Sequence, residues 1–291
     1  MMMVPSASVP STRLPWWARA LIALDERVDE LRDAERQLRD ELFFLLTRDA
    51  DREALTIALY DRRTAYLPQS RQYDGLHEWE VRFLRNPHFP HRGRILLGAA
   101  GGGRELRALT RLGYEVDAFE PAPALLAGAR TVISAPGRGR VELGSYRTFV
   151  EGARGEGPLA EMLRGARYDA VVLGWGSFSH VYAREERRAV LTAMRALCPE
   201  GPLVLSFDTT PREKREPRSR ATRFLREQVL PRVRKARGER EPLEPLAFWP
   251  GIGFLVAFDR ARIEQEAHDA GYRVEAFAIE PYGHALLLPS G

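Results

Sequence analysis

A short apolar run, Arg94-Ile95-Leu96-Leu97-Gly98, dissolves into Ala99-Ala100-Gly101-Gly102-Gly103 and resumes at Arg104-Glu105 in a helical pattern. That order reads as a buried strand, a tight turn of small residues and a helix. With no side chains in the way, backbone N–H groups at the helix start can approach a polar or anionic ligand, aided by the helix dipole. A second strand, predicted from Glu115 to Phe119, leads into Glu120, seventeen positions beyond Gly103. In a doubly wound sheet both strands end at the edge where ligands bind, and a carboxylate there can accept hydrogen bonds from both hydroxyls of a ribose.

Two nucleoside-type cofactors fit such a signature. The dinucleotide pattern G-x-G-x-x-G/A is met loosely by Gly98, Ala100 and Gly103. The segment more closely resembles the first motif of class I S-adenosylmethionine (SAM)-dependent methyltransferases, a strand followed by G-x-G-x-G, with Ala99, Gly101 and Gly103 in the small positions and Glu105 after them. Ala99 replaces the first glycine, and Leu97 stands where many members carry an acid for the methionine end of the cofactor, so that end is expected to be held by backbone groups or by a residue elsewhere.

A second match follows in register. Tyr168-Asp169-Ala170-Val171-Val172-Leu173 is an apolar strand that opens into Gly174-Trp175-Gly176-Ser177-Phe178-Ser179-His180, the order of the family's fourth strand and the channel beside it. Supporting segments keep the family's sequence. They are a strand near Arg140 to Leu143, a helix from Glu185 to Leu197, a strand from Leu203 to Phe207, a helix from Ala261 to Ala270, and strands over Arg273–Ile279 and His284–Leu288. The resemblance covers roughly residues 90 to 290 and implies a doubly wound, seven-stranded, mostly parallel α/β sheet with an antiparallel closing hairpin.

The same resemblance implies SAM as the cofactor. It places Ala99, Ala100, Gly101, Gly103 and Glu105 at the cofactor turn, Glu120 and Pro121 at the ribose, and Ser145 and Tyr146 beside the adenine by their order after the third strand. Leu173, Gly174 and Trp175 would line the methyl-transfer channel. His180 is the candidate catalytic base, because an imidazole titrates near neutrality; the alternative is a histidine that bonds the backbone and shapes the pocket.

Ahead of the sheet, residues 1–15 read as a loose tail and residues 16–90 as a helical region. From Trp17 on, Leu21, Leu24, Val28, Leu31, Leu38, Leu42 and Leu45 recur at steps of three and four, broken once by Glu35. That seam belongs to a long amphipathic helix, which either packs on its own domain or also pairs with a second subunit as a homodimer. Further helices are predicted over Asp51–Tyr66 and Leu76–Leu84. Tyr60, Arg63, Tyr66 and Tyr73, with Tyr282 from the closing hairpin, are candidate substrate contacts; the alternative for each aromatic is to fasten helix to core.

Composition bounds the partners. A single cysteine, Cys198, excludes an internal disulfide and any cysteine-based zinc cluster, and no metal site is expected. No apolar run reaches the ~20 residues of a membrane helix, so a cytoplasmic protein is the expectation. The net charge of +4 is local: Pro211–Arg240 holds 12 Lys or Arg against 4 Glu, +8, leaving −4 for the rest. This basic insertion at about 211–245 either binds an anionic partner, nucleic acid included, or is an arginine-rich solvated face. The expected function is methyl transfer to oxygen or nitrogen of a small molecule. RNA or protein methylation, a non-catalytic binding protein that retained the fold, and a dinucleotide oxidoreductase are the alternatives.

Overall fold

The computed structural model describes residues 14–70, 75–133, 138–209, 217, 219–239 and 246–291. Tyr73 and much of the basic insertion therefore lie outside the described residues. The chain divides into two compact units: one holds the segment up to Leu46 with Glu216–Glu239, the other Thr47–Arg215 with Arg240–Gly291.

In the larger unit, β1 (Arg94–Gly98), β2 (Glu115–Glu120), β3 (Gly139–Leu143), β4 (Ala170–Leu173) and β5 (Leu203–Phe207) are parallel. A hairpin, β6 (Leu246–Trp249) with β7 (Gly253–Val256), makes a second small sheet. The main sheet is completed by β8 (Tyr272–Ala278) and β9 (Gly283–Pro289), in the order β3-β2-β1-β4-β5-β9-β8. The strand β9 runs antiparallel between β5 and β8. Seven strands, a single reversed strand and a closing hairpin are the architecture expected above. Parallel strands covered on both faces read as unbroken apolar runs, and Ile95, Leu96, Leu97, Ala170, Val171 and Leu203 are wholly or almost wholly buried.

The strand order reverses between β1 and β4, so their C-terminal ends splay apart and leave a crevice at that switch point. Both glycine-rich segments open there. The helices Arg104–Arg111, Pro123–Val132 and Tyr146–Ala153 start just beyond β1, β2 and β3. Pro123 sits in the first turn of its helix, where its missing N–H has no partner to lose. Buried Asp117, within β2, is tied by Arg94 at 2.5 Å, Arg140 at 3.3 Å and the Tyr168 hydroxyl at 2.9 Å.

The helix predicted over Asp51–Tyr66 ends earlier, at Asp61, and Thr64–Tyr66 forms a separate 3₁₀ turn. The hairpin β6–β7 packs on that helix: Phe254 N donates to Thr56 Oγ1 at 3.3 Å, and a Cβ on Gly253 would stand 2.3 Å from the same oxygen. In the smaller unit, Trp16–Leu46 is one helix of 31 residues. Arg220–Phe224 and Leu230–Ala236 are helical and joined by a π turn over Leu225–Val229. Pro231 explains the wider turn, since it supplies no N–H to a regular helical ladder.

Candidate active site

The turn after β1 is built from left-handed residues. Ala99, Gly101 and Gly103 have φ of 52°, 55° and 92°, so the three positions assigned to the small-residue motif are the three that need this conformation. Ala99 is the only non-glycine with positive φ among the described residues. Ala100 N donates to Phe119 O at 3.0 Å and Gly103 N to Ala100 O at 2.9 Å, which fastens the turn to β2 and starts the helix.

Glu120 closes the other side. Its Oε2 accepts from Gly101 N at 2.7 Å and its Oε1 from Ala122 N at 2.9 Å. Burial raises its pKa to about 7, although those two N–H groups pull the other way. Each carboxylate oxygen has a second lone pair, so two acceptor positions remain for a ribose diol. A Cβ at Gly101 would meet nothing within 4 Å, which leaves the turn's outer surface open beside the carboxylate. Leu97, in contrast, is fully buried in the core.

The β4 turn lies close by. Gly174 N donates to Gly98 O at 2.7 Å, and a Cβ on Gly174 would stand 2.2 Å from Ala99 O, so only glycine fits. Leu173 is buried and Trp175 half-buried. Tyr146 bonds Ser177 Oγ at 2.6 Å and meets Phe119 edge to face, which joins the ends of β2, β3 and β4. Ser145 donates its backbone N–H to Thr148 Oγ1 at 2.8 Å and begins the helix that carries Tyr146.

The segment before the sheet covers this edge. Asp61 Oδ1 accepts from Ala124 N at 2.6 Å, capping the helix after β2. The Tyr66 carbonyl lies so near Gly102 that a Cβ there would stand 1.9 Å from it. Arg63 donates through Nε to Gly251 O at 2.6 Å and lies 5.8 Å from the Tyr66 ring centre, linking the 3₁₀ turn to the β6–β7 hairpin. A wall of rings follows. Tyr60–Tyr66 centroids are 5.7 Å apart, His77–Trp175 4.9 Å, and Trp175–Tyr282 4.7 Å.

His180 stands at the end of this wall. Its Nδ1 is 2.9 Å from Phe254 O and its Nε2 3.0 Å from the Tyr60 hydroxyl. A carbonyl only accepts, so Nδ1 carries the proton, Nε2 accepts, and Tyr60 donates. Burial lowers the His180 pKa to about 4, against the bond to Phe254, and burial drives that of Tyr60 well above its ordinary value.

Several site residues escaped the sequence reading. Asp61, His77 and Phe254 belong to no spaced motif, and Glu80 with Arg104 forms an ion pair at 2.6 Å beside buried Glu105. His77-x-x-Glu80 could have been read as a helix start, since Glu80 Oε2 accepts from His77 N at 2.6 Å. Among the described residues no group of three His, Cys, Asp or Glu is placed to hold a metal ion.

No protein-family model matches the sequence, and no curated protein matches it. Solved structures do. The DhpI–SAM–HEP complex aligns with a TM-score of 0.53 at 16% identity, over 84% of this chain and 100% of that one. The DhpI–SAH complex gives 0.51 at 15%, over 84% and 99%. The sugar N-methyltransferase KedS8 from Streptoalloteichus sp ATCC 53650 gives 0.49 at 16%, over 77% and 90%. At such identities the likeness is one of fold: the chain has the Rossmann-like fold of the class I SAM-dependent methyltransferases.

Proposed function

We propose that the protein is a SAM-dependent methyltransferase acting on a small molecule that bears an amine or a hydroxyl. The observation that carries the reading is Glu120, a buried carboxylate clasping the left-handed turn with its outer lone pairs unspent. Support comes also from the DhpI complexes, which share the fold and hold SAM and SAH. When bound, the cofactor supplies an electrophilic sulfonium methyl group. Gly101 and Gly103 would offer it backbone, Glu120 its ribose contacts, and Ser145 with Tyr146 the surroundings of the adenine.

The chain's own residues then orient the acceptor. Tyr60, Tyr66, Trp175 and Tyr282 form an aromatic wall that excludes water and favours a cation or a flat apolar body against the ring faces. Proximity and orientation supply much of the acceleration of such a transfer. The hydrogen-bond chain has one direction, Tyr60 to His180 to Phe254, so the Tyr60 oxygen retains lone pairs for an N–H or O–H of the acceptor. In this reading His180 is a positioning residue that acts through Tyr60, rather than a base in direct contact. Incubating the protein with methyl-labelled SAM and a library of small amines, alcohols and carboxylic acids tests it. Label passing to amines or alcohols supports the reading, and bound SAM with no transfer to any of them favours the non-catalytic one, for which buried Leu97 is the specific observation.

A further inference from the structure

The helix Trp16–Leu46 carries two stripes. One holds Gln37, Glu41 and Phe44, all buried, and Glu41 accepts from Arg226 Nε at 2.8 Å within the same unit. The other is the seam Trp17, Leu21, Leu24, Val28, Leu31, whose large members are left exposed by 55%, 59%, 60% and 71% for Trp17, Leu21, Leu24 and Leu31. Its spacing is a heptad: Leu21, Val28, Glu35 and Leu42 at a, and Trp17, Leu24, Leu31, Leu38 and Leu45 at d. Such a seam is made to meet another helix, and the flanking charges say which.

In a parallel pair of copies, Arg27 at g would face Arg32 at e of the other copy, twice by symmetry. In an antiparallel pair that crosses midway between Asp29 and Glu30, Leu21 meets Leu38 and Val28 meets Leu31, while Asp25 at e faces Arg32 at e, again twice. Arg32 is exposed and its bond to Asp29 within the helix, at 3.3 Å, lies at the surface, so it is free to turn. Shifting that pairing one heptad towards the N-terminus sets Asp25 against Asp25 and Arg27 against Arg27. Shifting it the other way sets Arg32 against Arg32 and draws on Glu41, which Arg226 already holds.

We propose that this seam is the interface of a homodimer in which two copies of the Trp16–Leu46 helix pair antiparallel, with Asp25 of each copy bonded to Arg32 of the other. Sedimentation velocity on the full chain over a concentration series tests it. A dimer is expected at about 10 µM, with Leu24→Glu/Leu31→Glu monomeric at unchanged far-ultraviolet circular dichroism. Arg32→Asp replaces two attractions by two repulsions and is expected to raise the dissociation constant about tenfold. The swap Asp25→Arg/Arg32→Asp restores it. A monomer throughout overturns the proposal, as does a dimer indifferent to Leu24 and Leu31. Tighter association on Arg32→Asp identifies the parallel arrangement instead, and failure of the swap to restore affinity rejects the Asp25–Arg32 pairing.

Discussion

At the scale of single residues, Glu120 carries the most chemistry. With its pKa raised to about 7 from an ordinary 4.5, it adds to stability in full below about 4.5, and that contribution is lost as pH rises through 7. With the ribose contact proposed for Glu120, cofactor affinity has the opposite sign, because hydroxyl donors would bind the charged form. Titration with S-adenosylhomocysteine should therefore tighten from pH 6 to 8 and release a proton at the lower end; a flat profile would remove the charged carboxylate from the contact. Glu120→Ala should weaken binding severely, on the order of a hundredfold for two lost hydrogen bonds to a charged acceptor. Ala99 offers a second test. A left-handed alanine costs about 1–2 kcal/mol and glycine's extra freedom offsets roughly half of that, so Ala99→Gly should raise stability to urea by about 0.5–1 kcal/mol.

Among elements, the turn Thr64–Tyr66 and the glycine loop fix one another. Gly102→Ala would drive a Cβ into the Tyr66 carbonyl, so it should displace that turn and weaken S-adenosylhomocysteine binding while the sheet stays folded. Hydrogen exchange quickening at residues 64–68 alone, with binding weakened about tenfold, would check it; exchange rising across β1 and β2 would contradict it. This scale also separates what was legible in the chain from what was not. The strands β1, β4 and β5 stood out because burial on both faces writes a largely apolar run, as in Ala170–Leu173, whereas β2 carries buried Asp117 within it. The hairpin β6–β7, just beyond the basic insertion, went unpredicted, although Leu246–Trp249 and Gly253–Val256 flank Pro250-Gly251 as two apolar runs about a turn. The left-handed turn at Ala99, Gly101 and Gly103 was legible because positive φ there favours small residues. Asp61, Phe254 and the direction of the Tyr60–His180 bond were not, because long-range packing alone brings them together.

Across the whole molecule, the larger unit is locked by a charge that composition alone gives no means to locate. Arg187 is fully buried and its guanidinium bonds Glu266 at 2.7 and 2.8 Å and the carbonyls of Val181 and Tyr182 at 3.0 and 2.9 Å. It joins helix Arg184–Leu197 to helix Arg260–Asp269 and holds the loop after His180. Removing it leaves Glu266 charged and unpaired, so Arg187→Ala should lose about 3–5 kcal/mol of stability in urea denaturation, whereas Arg187→Met with Glu266→Leu should lose far less. No helix among the described residues is long and apolar enough to cross a membrane. The proposed methyl transfer depends on one cofactor. Calorimetric titration of the wild-type chain with SAM, S-adenosylhomocysteine and NAD tests it most directly. Micromolar binding of the first two without NAD is the result predicted; binding of NAD alone, or of none of the three, would contradict it.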